Sequence, residues 1–285
     1  MSDGTGERAR LWQHPALPDV DLLRARYVRK TFLRHTHRGY VVAAIAEGVE
    51  VFAHGGGTHR AGPGELALIN PDTPHTGRAG VPDGWRYSAL YPEPGLVAEV
   101  AAETLGLRGT PGFRAPVLAD PGAVRLVQRV HRAAERGEAL AADTLMRVTL
   151  ARLLRRNGGP APEREAPTAG ARQAARARAV LEERMVDPPT LEGLAAELGS
   201  RPFALLRAFR ERYGMPPHSW LTNARVHRAR ALLDAGHSPA TAALAVGFTD
   251  QPHLTRHFSR VFGVPPGAYQ RGRARTYKTG GESPP

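Results

Sequence analysis

The chain has 285 residues, no cysteine and a formal net charge of +12. This length predicts two domains, each with a core that needs no covalent staple. The lack of cysteine excludes disulfides and thiolate sites, and no apolar run approaches the ~18 residues of a membrane span. We therefore expect a soluble, cytoplasmic protein with no membrane partner.

The charge is concentrated in the second half of the chain. Residues 1–170 carry 22 basic and 18 acidic side chains, whereas residues 171–285 carry 17 and 9. A basic segment of this kind favours a polyanionic partner, with nucleic acid first. Compositional drift is the alternative, and the charge alone does not decide between the two.

Short apolar or alternating runs, separated by turn residues, extend from about residue 20 to residue 92. The pattern is typical of short strands in a sandwich or barrel, so we predict a β domain over residues 10–95. The clearest runs are YVVAAIAEG (40–48), VEVFAHGGG (49–57), ELALIN (65–70) and WRYSALY (85–91).

The spacing of apolar residues changes to a helical one between residues 96 and 156. The last of these helices has a broad apolar side, which either packs on the β domain or pairs with a second copy of the chain. We favour a dimer helix. The residues of this side are Leu140, Leu145, Val148, Leu150 and Leu153.

Two segments lack any periodicity. Residues 157–170 are rich in proline, glycine and alanine, which predicts a flexible linker. Residues 274–285 are predicted to be a disordered tail. The basic segment between them, residues 171–273, is helical throughout, with Thr190 as an expected N-cap and Gly199 as a stop.

An internal repeat organises this basic segment. A shift of 49 residues superimposes two copies of a short helix, a tight turn and a second helix, which is the helix-turn-helix arrangement. Between the copies, residues 218–235 form an 18-residue connecting helix of about 27 Å, which suits two reading helices in successive major grooves. The matching pairs are Leu205 and Leu254, Arg207 and Arg256, Phe209 and Phe258, and Gly214 and Gly263.

The second helix of each copy is amphipathic at about 100° per residue. An arginine stands on the outer face at the same place in both, where it can pair with guanine or hold a phosphate. A plain solvated face is the alternative for either arginine alone; the repeat and the basic charge favour DNA. The predicted inner residues are Leu205, Phe209, Arg212 and Tyr213 in the first copy and Leu254, Phe258, Val261 and Phe262 in the second.

Residues 171–273 resemble the paired helix-turn-helix domain of the AraC/XylS family of transcription regulators. The resemblance is carried by LEGLAAEL, FALLRAFRERYGMPP, the ARALL of 229–233 and AVGFTDQPHLTRHFSRVFGVPPGAY. It implies DNA contacts by Phe203, Leu206, Arg207, Arg210, Gln251, Pro252, Thr255 and Arg256. To these we add Arg201, His253 and Arg260 as candidates.

Two positions depart from the family pattern. Members usually have serine or threonine where Arg201 stands, so Ser200 is expected to cap the first reading helix one residue early. Members often carry serine at the position of Pro252, which cannot donate a backbone hydrogen bond.

The front half resembles the cupin-like sensor domain of AraC-type regulators, through GPGELALINPDTPH (62–75) and His35-Thr36-His37. On a strand, residues two apart share a face, so both rings could point the same way. Cupin enzymes hold a divalent metal with paired histidines, a glutamate and a later histidine. Here His75 fits the last place, but Val41 and Val42 stand where the glutamate should be.

Three roles remain open for these histidines. They hold a metal such as zinc or nickel, they are structural or solvated, or they line an effector pocket. We expect the pocket and no cofactor, while Trp85 and Tyr87 are also plausible core residues. The predicted ligand-binding residues are His35, His37, Tyr40, His75, Trp85 and Tyr87.

These observations predict a multidomain fold. An N-terminal all-β, cupin-like double-stranded β-helix with appended helices precedes a C-terminal all-α double helix-turn-helix of homeodomain-like type. The expected function is a sequence-specific transcription regulator controlled by a small-molecule effector, with no catalytic residues. Its expected partners are promoter DNA on the nucleoid and RNA polymerase, with a second copy of the chain as a further candidate. The alternatives are a metal-dependent cupin enzyme fused to a DNA-binding module, and a regulator whose β domain only dimerises.

Overall fold

The computed structural model describes residues 6–107, 109–160 and 168–278. The chain divides into two compact units. One, the β unit, holds Met1–Glu163 together with Ala268–Pro285; the other, the helical unit, holds Arg164–Gly267. None of the helices within the described ranges is long and apolar enough to cross a membrane.

The strands of the β unit are short, and turns bounded by glycine or proline separate several of them. In chain order they are β1 (Arg8–His14), β2 (Leu17–Tyr27), β3 (Thr31–His35), β4 (Val41–Gly48), β5 (Glu50–His54), β6 (Gly57–Ala61), β7 (Glu65–Ile69), β8 (His75–Ala79), β9 (Trp85–Pro92), β10 (Pro111–Phe113), β11 (Val117–Ala119) and β12 (Gly158–Pro160).

Two antiparallel sheets form the body of the β unit. A six-stranded sheet has the order β1-β2-β9-β4-β7-β11, and a four-stranded sheet has the order β3-β8-β5-β6. The ring of Phe32 on the smaller sheet lies 5.3 Å from Tyr27 and 6.5 Å from Trp85 of the larger sheet, between centroids. The sheets therefore face each other as a sandwich, which confirms the all-β prediction for this half.

Three helices cover the other face of the six-stranded sheet: α1 (Pro94–Leu105), α2 (Pro121–Glu135) and α3 (Ala139–Asn157). Strand parity separates the two faces, because alternate residues point to opposite sides. The helix-covered face buries Leu22, Val42, Leu66 and Leu90 against Val97, Val127, Leu150 and Leu153.

The predicted apolar side of α3 is divided. Leu150 and Leu153 are fully buried in the core beneath the sheet, and the partly buried Leu145 packs against that core. Leu140 is 81% exposed and Val148 is 47% exposed. Packing on the β domain thus accounts for one face along the whole helix, where Ala142 and Met146 are also fully buried, and leaves Leu140 and Val148 on the solvent side.

Sequence patterns missed the short strands near the helices. β10 pairs with β12, and β11 pairs with β7. The segment 96–156 is therefore not wholly helical. Gly158 and Gly159 have no side chains that could signal a strand, so only their tertiary partners Gly112 and Phe113 define β12.

The predicted linker and tail need correction at their ends. Helix α3 and strand β12 occupy residues 157–160 of the predicted linker, and the next helix begins at Ala169. Residues 161–167 lie outside the described residues. The predicted disordered tail begins inside α10 (Pro266–Lys278), and residues 279–285 also lie outside the described residues.

The helical unit confirms the internal repeat. Its helices are α4 (Ala169–Glu183), α5 (Leu191–Glu197), α6 (Pro202–Tyr213), α7 (Pro217–Asp234), α8 (Pro239–Ala245) and α9 (Gln251–Phe262). The repeated helices α6 and α9 each contain 12 residues and end at a glycine in the left-handed region, Gly214 and Gly263. The 18-residue helix α7 packs against α4, α6, α8 and α9.

The caps of the two copies differ at one place. Thr190 caps α5 as predicted, Ser238 caps α8, and Asp250 caps α9 by accepting from the backbone N–H of His253 at 2.6 Å. Arg201 stands at the N-cap of α6 and makes no side-chain cap bond. Ser200 does not replace it, because its hydroxyl instead contacts the carbonyl oxygen of Arg201.

Candidate nucleic-acid interface and ligand-binding interior

Helix α9 buries one face and exposes the other. Its predicted inner residues form the core of the second copy: they are Leu254, Phe258, Val261 and Phe262. The candidate DNA contacts lie on the solvent side. Gln251, Pro252, Arg256 and Arg260 are exposed, and His253 and Thr255 are half-buried.

Helix α6 repeats this arrangement with one exception. Leu205 and Phe209 are fully buried against Ala174 and Ala177 of α4. Arg212, predicted to be inside, is exposed, with its guanidinium over the ring of Tyr213 at 5.4 Å. The candidate contacts Arg201, Phe203, Arg207 and Arg210 are exposed, and Leu206 is half-buried.

Two features distinguish the exposed faces of α6 and α9. Phe203 is 84% exposed, which is unusual for a large apolar side chain and suits an apolar partner such as the methyl group of thymine. On α9 the pKa of His257 is lowered by desolvation and then by its neighbours His253, Arg260 and Arg256. The face of α9 thus carries a local positive potential, which favours phosphate oxygens.

The sandwich interior gathers the three predicted histidines. His35 and His75 are direct partners across the β3–β8 ladder, with ring centroids 4.4 Å apart. The ring of His37 lies 4.9 Å from His35 and 5.3 Å from His75. The sequence suggested that His35 and His37 share one face of a strand. β3 instead ends at His35, and His37 reaches the cluster from the following loop.

Backbone carbonyls fix the orientation of two of these rings. The Nδ1 of His35 lies 2.7 Å from the carbonyl oxygen of Leu33, and that of His75 lies 3.0 Å from Thr73. A carbonyl only accepts, so each Nδ1 carries the hydrogen and each Nε2 carries a lone pair. Burial lowers the pKa of His35 to about 4 and that of His75 well below its usual value, so both rings are neutral at neutral pH.

Aromatic rings continue the interior beyond the histidines. Trp85 and Tyr87 are buried and stacked, with centroids 6.1 Å apart, and Phe32 joins them to His35. Tyr40 does not belong here. It is fully buried on the helix-covered side, where its hydroxyl donates to the carbonyl of Pro111 and its ring contacts Phe113.

Glu50 and Tyr91 are interior residues that the sequence did not single out. Desolvation raises the pKa of Glu50 to about 7. Burial, and then the charge of Glu50, raise the pKa of Tyr91. Glu50 is only half-buried by surface area, although protein surrounds its carboxyl group; this combination fits a group that lines an internal space. Glu50 lies two residues before the buried Phe52 on the same strand, so the two side chains point to the same face. This alternation was the signal in the sequence that could have identified Glu50.

Unpaired polar atoms also mark this interior. Among the described residues, Oε2 of Glu50 and Nε1 of Trp85 are buried without a hydrogen-bond partner. Buried polar groups normally have partners, so these two atoms point to a ligand or to water. Gly77 leaves room beside the carboxyl group, because a Cβ there would lie 3.1 Å from Oε1 of Glu50.

Comparisons with known proteins find a matching family model for each half of the chain. Residues 17–152 match the model of the AraC-like ligand binding domain, and residues 194–272 match a helix-turn-helix domain model. The chain is 26% identical over 243 residues to the uncharacterized HTH-type transcriptional regulator YbfI of Bacillus subtilis (strain 168), covering 82% of this chain and 86% of YbfI.

Two further comparisons are more limited. The bifunctional transcriptional activator/DNA repair enzyme Ada of Escherichia coli (strain K12) is 33% identical over 96 residues, which are 34% of this chain and 25% of Ada. The crystal structure of unsaturated fatty acid bound wild-type ToxT from Vibrio cholerae strain SCE256 shares the fold, with a TM-score of 0.52 at 10% identity over 96% of this chain and 99% of ToxT. With the two matched domains in order along it, the chain belongs to the AraC family of DNA-binding transcription regulators with an N-terminal ligand-binding domain.

Proposed function

We propose that α6 and α9 enter successive major grooves of promoter DNA and read base edges through their exposed faces. The observation that carries this proposal is the repeated arginine, Arg207 and Arg256, exposed at the same position of two equal helices. α7 has 18 residues and so a length of about 27 Å. That length suits a spacing of about 34 Å between groove contacts, once the width of the helices is added.

The exposed side chains divide into base readers and phosphate contacts. Arg207 and Arg256 have the geometry for bidentate pairing with guanine, and Gln251 has it for adenine. Phe203 offers an apolar contact to thymine. In this proposal Arg201, Arg210 and Arg260 hold phosphates, with Leu206, Pro252, His253 and Thr255 completing the contact surface.

The sandwich interior binds the small-molecule effector in this proposal. The unpaired atoms of Glu50 and Trp85, with the rings of Tyr87 and Tyr91, support a ligand that is mostly apolar and brings hydrogen-bonding groups. One ToxT structure contains an unsaturated fatty acid. A carboxylate beside Glu50 would meet a second acidic group, so we favour a neutral ligand with a donor hydrogen for this chain.

Dimerisation and contact with RNA polymerase complete the regulatory scheme. The exposed Leu140 and Val148 support α3 as a dimer helix, and Val148 lines a groove of about 560 Å³ among α1, α2 and α3. In this scheme the protein acts on promoter DNA on the nucleoid, in the cytoplasm. In this proposal the β unit binds its ligand without catalysing a reaction.

Footprinting of the region upstream of the protein's own gene tests the proposal. We expect two protected segments on one face of the duplex, with centres one helical turn, about 10–10.5 base pairs, apart. Protection that follows no sequence, or a single protected segment, would contradict it. For the effector, a ligand found by thermal shift should also change DNA affinity if it controls the regulator. DNA should then change the affinity for that ligand by the same factor, because coupling between two sites is reciprocal.

A further inference from the structure

We propose that His35, His37 and His75 bind one divalent transition-metal ion, zinc or nickel by preference, inside the β unit. These three residues form the group within the described residues whose ligand atoms approach closely enough, all within 4.8 Å of one another. The proposal does not depend on how the helical unit reads DNA.

The distances are close to those of an ion site. Nε2 of His35 and Nε2 of His37 are 3.1 Å apart. Two nitrogens bound to zinc at about 2.0–2.1 Å in a tetrahedral site are about 3.3–3.4 Å apart. One pair is slightly closer than this separation, and the ligand atom of His75, the ladder partner of His35, lies within 4.8 Å of the other two.

The hydrogen bonds outside the cluster prepare the rings for an ion. Both Nδ1 atoms of His35 and His75 donate to backbone carbonyls, of Leu33 and Thr73. Metal-ligating histidines use their second nitrogen in this way, which fixes the tautomer and aims the lone pair at the metal. Nε2 of His35 also accepts a hydrogen bond from Nε2 of His37. A metal ion would displace that hydrogen and bind both nitrogens, since metal binding to protein ligands releases protons.

The donor set indicates the class of ion. Neutral imidazoles suit zinc, nickel, cobalt and copper, whereas magnesium and calcium prefer oxygen ligands. The group holds no carboxylate and the chain has no cysteine. Three protein ligands leave a further position for water or for a donor atom of a small molecule, as in zinc sites with an open position.

Metal content of the untagged full-length protein tests this inference. The chain is stripped with chelator, loaded with Zn²⁺ or Co²⁺, and freed of excess ion by gel filtration. We expect one ion per chain by elemental analysis, a visible absorption band with Co²⁺, and a rise in melting temperature with Zn²⁺. Absence of a stoichiometric ion together with an unchanged melting temperature would overturn the inference.

The decisive variant is His75→Asn, because the asparagine amide can still donate to Thr73 but has no atom in the place of Nε2. The matched control is His218→Asn, on the exposed surface of α7. We expect the first variant to lose the ion and the Co²⁺ band while it keeps its far-UV circular dichroism and DNA affinity, and the control to keep all four. Equal metal content in His75→Asn and wild type would refute the site, whatever the DNA affinity.

Discussion

Arg207 and Arg256 are each the sixth residue of a 12-residue helix, 49 positions apart, and both side chains are exposed. Each follows a buried leucine by two residues and precedes a buried phenylalanine by two. The buried pair fixes how each helix rotates on its core, so the direction of the arginine is fixed as well. The repeat thereby presents the same chemical group twice from one rigid support.

Replacement of Arg256 by alanine should weaken binding to the preferred DNA by about 1–3 kcal/mol if the side chain pairs with guanine. Fluorescence anisotropy with the upstream fragment and with random duplex measures the loss. A base contact lowers affinity for the preferred sequence more than for random DNA.

The matched control is Arg228→Ala, which removes the same charge from an exposed position on α7. It should reduce affinity for both duplexes slightly and equally, through the long-range electrostatic attraction. If Arg256→Ala behaves in the same way as this control, Arg256 does not read bases.

Replacement of Arg201 by serine should stabilise α6, because Arg201 has the extended backbone of an N-cap, with φ −87° and ψ 140°, but no capping bond. A serine hydroxyl there would add about 1 kcal/mol of local stability. Hydrogen exchange of the α6 amides measures this gain. Asp250→Ala, at the capped equivalent in α9, should cost about 0.5–2 kcal/mol.

The same Arg201 variant separates stability from DNA contact. If Arg201 holds a phosphate, Arg201→Ser binds DNA more weakly and with a smaller salt slope although its helix is more stable. Unchanged protection of the α6 amides would show that the missing cap has no cost.

Replacement of Gly84 by alanine should destabilise the β unit by several kcal/mol, about 3 or more. Gly84 has φ +81°, and a Cβ there would lie 2.0 Å from the carbonyl oxygen of Tyr27, which is backbone and cannot yield. Thermal unfolding tests this. Gly95→Ala in α1 is the control, since a Cβ there meets nothing within 4 Å; a similar loss in both variants would contradict the account.

Buried His131 should make the free energy of unfolding depend on pH. Its Nε2 donates to the carbonyl of Ala89 at 3.1 Å, and burial, with a smaller effect of Arg24, lowers its pKa to about 3. Between pH 6.5 and 3 the unfolded chain binds a proton that the folded chain does not, so stability is complete above 6.5 and falls as the pH falls. One such histidine contributes at most about 1.4 kcal/mol per pH unit.

Urea unfolding at pH 7, 6 and 5 measures this dependence in wild type and His131→Gln, whose amide can still donate to Ala89. Between pH 6.5 and 5 the free energy of unfolding of the variant should fall less steeply than that of wild type. The difference between the two slopes should correspond to at most one bound proton. Parallel pH profiles for the two proteins would contradict the assignment to His131.

The helical unit was predictable because its signals are local. The 3.6-residue period, the caps at Thr190 and Asp250 and the glycines that end α6 and α9 all act within a few residues. Arg212 was placed wrongly because the last turn of a helix has fewer neighbours to enforce the apolar face. Its guanidinium stacks on an adjacent ring at the surface.

The β unit was less predictable because its pairings are distant in sequence. The alternation of side chains predicts which residues share a face only while a strand continues. β3 ends at His35, and β4 begins at Val41. The loop between them therefore decides that His37 enters the interior and that Tyr40 faces the helices. Glu50 was overlooked since its alternation with Phe52 was the one local signal, whereas its environment comes from β8 and β9, which lie further along the chain.

Competition between selected and random duplex most directly tests the central claim that two equivalent helices read DNA. Duplexes are selected with the full-length protein, and affinities are then compared for wild type and the Arg207→Ala/Arg256→Ala double variant. We predict that wild type prefers the selected sequences by about 10³-fold or more, and that the double variant loses most of this preference while it retains non-specific binding. Equal affinity of wild type for selected and random duplex at low salt, or a preference that the double variant leaves intact, would contradict the account.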